Sequence, residues 1–252
     1  MQVRHHLRNF SKEMNELIII FAAILPGIIL CIYLWKQDPY PEPALQLIKA
    51  AIFGMVTCAP VFIVESALQI VLFGDDASPT SLFGTTTEAF LIAGLVEESF
   101  KLLTLWLILS GNRYYDEHID GIVYAVFVGL GFAMSENILY LFADIENWQS
   151  TAFFRAIFAV PAHYAFAILM GYYYSIYHFV DRSNSNLLKI LFIPVLAHGI
   201  YDAIVLSANI VPSISFTLCI LLVCFCYKMH KFARDKVEEQ LENDGNGLNN
   251  FG

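Results

Sequence analysis

The chain has 252 residues, 58% of them hydrophobic and 15% charged, with a mean hydropathy of +0.60. A water-soluble domain carries about 25% charged residues, so this composition excludes one. The formal net charge of −9 argues against nucleic acid as a partner, because a nucleic-acid binder needs a basic footprint.

A bilayer core about 30 Å thick takes about 20 apolar helical residues to cross. Seven stretches qualify, running roughly over 17–35, 48–73, 88–110, 119–143, 155–180, 187–207 and 210–230. They are long and continuous, without the alternation of an outer-membrane barrel, which predicts helices. The expected fold class is all-α, a polytopic transmembrane helical bundle of about seven spans, forming one domain over 1–230. The lipid bilayer is its solvent. The first span is too long for a signal peptide's apolar region and lacks a small-x-small cleavage site, so it is expected to be retained. The tight connection around Ser207 to Pro212 predicts an antiparallel hairpin of the last two spans.

Acidity collects in short loops such as Asp75-Asp76 and in a tail bearing Glu238, Glu239, Glu242 and Asp244. The tail, 231–252, reads as polar, disordered and cytoplasmic. Cys31, Cys58, Cys219, Cys224 and Cys226 all lie in apolar runs, without the spacing of a zinc ribbon or a disulfide framework. An N-terminus outside places nine flanking Lys and Arg residues in the cytoplasm and four outside, and the opposite orientation reverses those numbers. The positive-inside rule therefore favours N-terminus out and C-terminus in.

Against this apolar background, ionisable residues inside the spans stand out. Glu97, Glu98 and Lys101 lie in the third span, Glu136 in the fourth, His163 in the fifth, and His198 with Asp202 in the sixth. Unpaired, the five formally charged ones would cost about 12–18 kcal/mol at the bilayer centre. That exceeds a typical domain stability of about 5–15 kcal/mol. They must pair with one another, bind a metal or water, or become neutral.

Spacing indicates how they meet. Glu97 and Lys101 are four apart and share a helix face, and Glu98 is three from Lys101. His198 and Asp202 are four apart, so the carboxylate can orient the ring. Adjacent spans run in opposite directions, which brings all these groups to roughly 10–15 Å below one common surface. Glu65 with Gln69 in the second span is a weaker candidate. Asp120-Gly121 reads equally as a helix N-cap or as site support, and His178 as an interface residue. Pro161, two residues before His163, is expected to open a helix turn.

The motifs form an ordered set: E-E-x-x-K (Glu97-Glu98-Ser99-Phe100-Lys101), F-x-x-x-E (Phe132 to Glu136), Pro161-Ala162-His163, and H-x-x-x-D (His198 to Asp202). In this order, each on its own span over about 88–207, they closely resemble the PrsW family of intramembrane proteases. That family is related to the CAAX prenyl endopeptidases and the Abi membrane proteins. The CAAX and Abi group tends to have E-E-x-x-x-R and F-x-x-x-H, whereas the second motif here ends in Glu136, as on the PrsW side. The extra N-terminal spans match neither pattern in detail. The resemblance implies a membrane-embedded peptidase in a bacterial inner membrane, with a single-pass membrane protein as substrate. For PrsW-type enzymes it implies site-1 cleavage of an anti-sigma factor in a stress response. With the N-terminus outside, the active site faces the extracytoplasmic side.

Hydrolysis needs an activated water, an oxyanion stabiliser and an acid for the leaving amine. The expected catalytic set is Glu97, Glu98, Lys101, Glu136, His163, His198 and Asp202. One of the paired glutamates activates water, the histidines polarise the carbonyl or donate a proton, Asp202 orients His198, and Glu136 completes the cage. Two forms stay open. In one, glutamate acts alone. In the other, Glu97, Glu98, Glu136, His163 and His198 supply ligands to a divalent metal such as zinc. Two other classes also stay open: a proton-coupled transporter, because buried acids and histidines make proton relays, and a non-catalytic scaffold or immunity protein.

Overall fold

The computed structural model describes the backbone of residues 2–74 and 79–249, and the side chains of 14–74, 79–208 and 210–245. Asp75 and Asp76 lie outside the described residues. All the regular structure among the described residues is helical. The first two spans are α1 (Gln2–Trp35) and α2 (Ala44–Phe73). The third is divided into α3 (Leu82–Thr87), a π-helical stretch (Glu88–Gly94) and α4 (Leu95–Leu109). The fourth is α5 (His118–Ala143). The fifth comprises α6 (Trp148–Phe154), a π-helical stretch (Arg155–Ala159), α7 (Val160–Ser175) and a π-helical end (Ile176–Val180). Then come α8 (Asn184–Ile210), a short 3-10 turn (Pro212–Ile214) and α9 (Ser215–Asn249).

Six of these helical runs are individually long and apolar enough to cross a membrane. The π-helical stretch splits the third span into pieces too short to qualify alone, so a bundle of about seven spans results. α5 is the centre of the bundle, packed against α1, α2, α4, α7 and α9. Tyr124, Leu130 and Phe132 on it are almost fully buried, as is Phe166 on α7. Phe53, Phe62, Ile63, Val71 and Trp106 point outward, as lipid-facing side chains do.

Lipid is as apolar as leucine, so spans associate through close packing and interhelical hydrogen bonds rather than by hiding apolar surface. The α2–α5 contact shows this. A Cβ added to Gly54 would sit 2.1 Å from the Val128 carbonyl oxygen, and one added to Gly131 would sit 2.1 Å from that of Ala51. Both obstacles are backbone and cannot rotate away. Gly131→Val is therefore expected to force the two helices apart and to cost about 1–3 kcal/mol or more. Size-exclusion chromatography in mild detergent checks it: the variant should lose most of its monodisperse peak, and an unchanged profile would contradict the close approach.

Two expectations about boundaries are corrected. The tail after 230 is helical through Asn249 rather than disordered. Met229, Ala233, Val237 and Gln240 recur at helical spacing and are buried against the bundle. Tyr172 donates to Glu239 Oε1 at 2.6 Å. Asp244 accepts from the His118 and Ile119 backbone N–H groups at 2.8 and 2.9 Å, satisfying the start of α5. The fifth span also begins earlier than expected, at Trp148, which places Arg155 inside the helix. Asp120 is not the N-cap of α5. Glu117 is, and Asp120 sits at the third helical position and completes a reciprocal capping box.

Candidate active site

The groups expected to converge do so. Lys101, 3% exposed, donates to Glu97 Oε2 at 2.9 Å and to Glu98 Oε1 at 2.8 Å. It also lies 3.3 Å from His163 Nδ1. An ammonium has no acceptor, so Nδ1 must accept and Nε2 must carry the hydrogen. His163 Nε2 then donates to Glu136 Oε2 at 2.9 Å. Phe132, the aromatic residue of the F-x-x-x-E motif, places its ring centroid 4.2 Å from the Lys101 nitrogen, a cation–π contact on the ammonium's remaining side.

His198 has a carboxylate at each ring nitrogen: Glu98 Oε1 at 2.9 Å from Nδ1, and Asp202 Oδ2 at 3.1 Å from Nε2. Donating from both nitrogens at once takes the imidazolium form. Phe166 stacks on the ring with centroids 4.8 Å apart and fixes its plane. Glu97 Oε2 is 4.0 Å from His198 Nε2, and the two histidine rings are 5.4 Å apart, centroid to centroid.

Sequence reading did not assign Arg155 to the site, because hydropathy alone started the fifth span there. Its guanidinium donates to Glu136 Oε2 at 2.7 Å and to Asn137 Oδ1 at 2.5 Å. Asn137 in turn donates to the Ala23 carbonyl at 3.0 Å, tying α1 to the site. The available signal was a helical proximity: Glu136 and Asn137 near the end of one span, and Arg155 near the start of the next.

A π-helical stretch precedes each of two motifs, Glu88–Gly94 before Glu97 and Arg155–Ala159 before His163. Such bulges insert an extra residue and re-aim the side chains that follow. Pro161 lacks the N–H that would bond residue 157, which suits the looser hydrogen bonding of the second one.

A cavity of about 1000 Å³ opens onto this cluster. Glu97, Glu136, His163, His198 and Asp202 line it, and Glu98 and Lys101 do not. Glu65 also lines it, with a buried Oε1 that has no hydrogen-bond partner. Leu139, Tyr140, Phe154 and Val223 form apolar wall.

Glu97, Glu98 and His163 bring one ligand atom each within 4.8 Å of one another, and these are acceptable zinc donors. The Lys101 ammonium, however, contacts all three. A cation already occupies the centre of the donor set, so the arrangement as folded does not fit a divalent metal there.

The model of the PrsW family, described as intramembrane metalloproteases, matches residues 42–228. Protease PrsW of Clostridioides difficile (strain 630) is 32% identical over 90% of this chain and 92% of its own length. Protease PrsW of Oceanobacillus iheyensis is 35% identical over 79% and 86%, and that of Bacillus subtilis (strain 168) is 36% identical over 76% and 84%. No solved structure matches the chain. A helical membrane bundle that carries four ordered motifs on four spans, and is similar to these relatives over most of its length, belongs to the PrsW family of intramembrane proteases.

Proposed function

We propose that the chain is an intramembrane endopeptidase in which Glu97 activates the attacking water. The observation that carries this is the division of labour within the glutamate pair. Glu97 faces the cavity, whereas Glu98, 1% exposed, is held behind it by Lys101 and His198. Glu97 takes a proton from water as the oxygen attacks the scissile carbonyl carbon. His198, anchored by Glu98 at Nδ1, turns its Nε2–H from Asp202 to the oxyanion as the charge develops there. The C–N bond then breaks and the leaving amine takes a proton from the Glu97 carboxyl. His163 and Glu136, with Arg155, form the opposite wall and hold Lys101 in place.

The substrate on this reading is a single-pass membrane protein cleaved near its membrane segment, with an anti-sigma factor as the class carried over from the family. The apolar cavity wall supports it, because a substrate helix can lie there while its unwound end reaches Glu97. The proposed location is the bacterial inner membrane, with the cavity toward the extracytoplasmic side. A peptide spanning the same bond but lacking its membrane segment should be cleaved far more slowly in proteoliposomes. Equal rates would overturn this substrate assignment.

The reaction is assigned to carboxylate and imidazole chemistry because Lys101 sits on the would-be metal ligands. Purified protein dialysed against a strong zinc chelator should keep its rate and contain well under one zinc per chain. Loss of activity on chelation, restored by zinc, would contradict this and would require Lys101 to swing away.

A further inference from the structure

Asp120 precedes Glu136 by sixteen residues on α5, about 24 Å of helix, so a second cluster of carboxylates lies toward the other end of the bundle. It gathers Asp38 and Glu42 from the α1–α2 connection, Asp116 and Glu117 from the segment before α5, Asp120 on α5, and Asp244 from α9. One carboxylate oxygen each from Glu42, Asp116 and Asp120 lies within 4.8 Å of the others. Asp38 and Glu42 are each 5% exposed and Asp120 is 1% exposed.

The hydrogen bonds present leave this cluster incomplete. Asp120 Oδ2 accepts from the Asp116 and Glu117 N–H groups at 3.0 and 2.7 Å, Glu42 Oε2 from the Tyr124 hydroxyl at 3.0 Å, and Asp38 Oδ1 from the Tyr40 N–H at 2.9 Å. Asp120 Oδ1 and Asp38 Oδ2 are buried and have no partner at all. Glu42 and Asp120 bring carboxylate oxygens within 4.8 Å of one another, and neither, when ionised, has a hydrogen to give. Among the described residues, no Lys, Arg or His forms an ion pair with any of the six. Buried anions without counter-charge are costly, and several kcal/mol per ion is the usual scale.

We infer that Glu42, Asp116 and Asp120 form a binding site for a hard divalent cation of the Mg²⁺ or Ca²⁺ class, distinct from the Glu97 cavity. The donor set is all oxygen, which is the chemistry such cations select, and the orphaned Asp120 Oδ1 gives it a buried anchor. Asp116 is exposed, so it supplies both a ligand and an entry path. The cation staples the α1–α2 connection to the start of α5, beside the point where Asp244 of α9 caps the same helix. Three segments distant in sequence are then fixed at one point, and the pitch of α5, which carries Glu136, is set from its far end.

The test uses the full-length chain purified in detergent, followed by thermal unfolding in chelator and on titration with Mg²⁺ and, separately, Ca²⁺. Terbium luminescence provides a direct binding readout, because Tyr124 touches Glu42 and the Trp35 indole donates to the Glu42 carbonyl at 3.3 Å. The melting temperature should rise by several degrees with at least one of the two ions. Terbium emission excited through the aromatic side chains should saturate and be displaced by that ion. Asp116→Asn, at an exposed position, should raise the half-saturating concentration about tenfold, because ligand charge sets affinity in such sites. Glu42→Gln should act likewise if it folds. No stabilisation and no sensitised emission would overturn the site and leave the pair sharing a proton. Stabilisation identical in wild type and Asp116→Asn would also overturn it, by placing the ion elsewhere.

Discussion

Glu97→Gln should reduce the cleavage rate by about 10²–10⁴-fold while leaving the melting temperature close to that of wild type. The side-chain amide keeps an oxygen to accept from Lys101 at the present 2.9 Å, so the packing survives. What it loses is the basicity to take a proton from water in the cavity that Glu97 lines. Glu98→Gln should behave differently. Glu98 Oε1 is the shared acceptor of Lys101 and His198, so neutralising it loosens two groups of the site at once and lowers stability together with rate. A single-turnover assay in proteoliposomes, paired with thermal unfolding of each variant, separates the two. If Glu98→Gln alone were inactive and Glu97→Gln near normal, the roles of the pair would have to be exchanged.

Lys101→Met should be the most destabilising single change in the site, at about 3–5 kcal/mol, the range for breaking a buried ion pair from one side. Removing the ammonium leaves Glu97 and Glu98 facing each other without their shared donor and strips His163 Nδ1 of its partner. The long apolar side chain of Met preserves contact with Phe132, so the loss reports charge rather than volume. Arg155→Met should cost less, because His163 still donates to Glu136 and the pair lies nearer the rim, with the Arg155 and Glu136 side chains 14% and 17% exposed. Denaturant unfolding in a single detergent ranks the two variants. An Arg155 variant less stable than the Lys101 variant would contradict this ordering.

Much of the site was legible because one-dimensional spacing maps directly onto a helix. The i, i+4 relation of Glu97 and Lys101 and of His198 and Asp202 became the pairs seen at 2.9 and 3.1 Å. The common depth of Glu97, Glu136, His163 and His198 followed from the alternation of span directions alone. Hydropathy misplaced Arg155 because a charged residue ends an apolar run, whereas here its partner Glu136 carries it inside the fifth span. The continuation of α9 past residue 230 was obscured by polar composition. Yet Met229, Ala233 and Val237 keep a four-residue repeat that only contact with the bundle turns into burial. Of the Glu42, Asp116 and Asp120 cluster only Asp120 stood out, as a cap or site-support candidate, and its companions did not. The cluster joins a loop to a distant helix start, and no local pattern encodes which loops meet.

The claim on which the account rests is that the Glu97 cavity is where a membrane protein is cut. The direct measurement maps new chain ends by mass spectrometry in membranes from cells expressing wild type or Glu97→Gln at matched levels. The account predicts new ends beside the membrane segment of a single-pass protein with wild type, and none with the folded variant. The same new ends at equal abundance in both would contradict it.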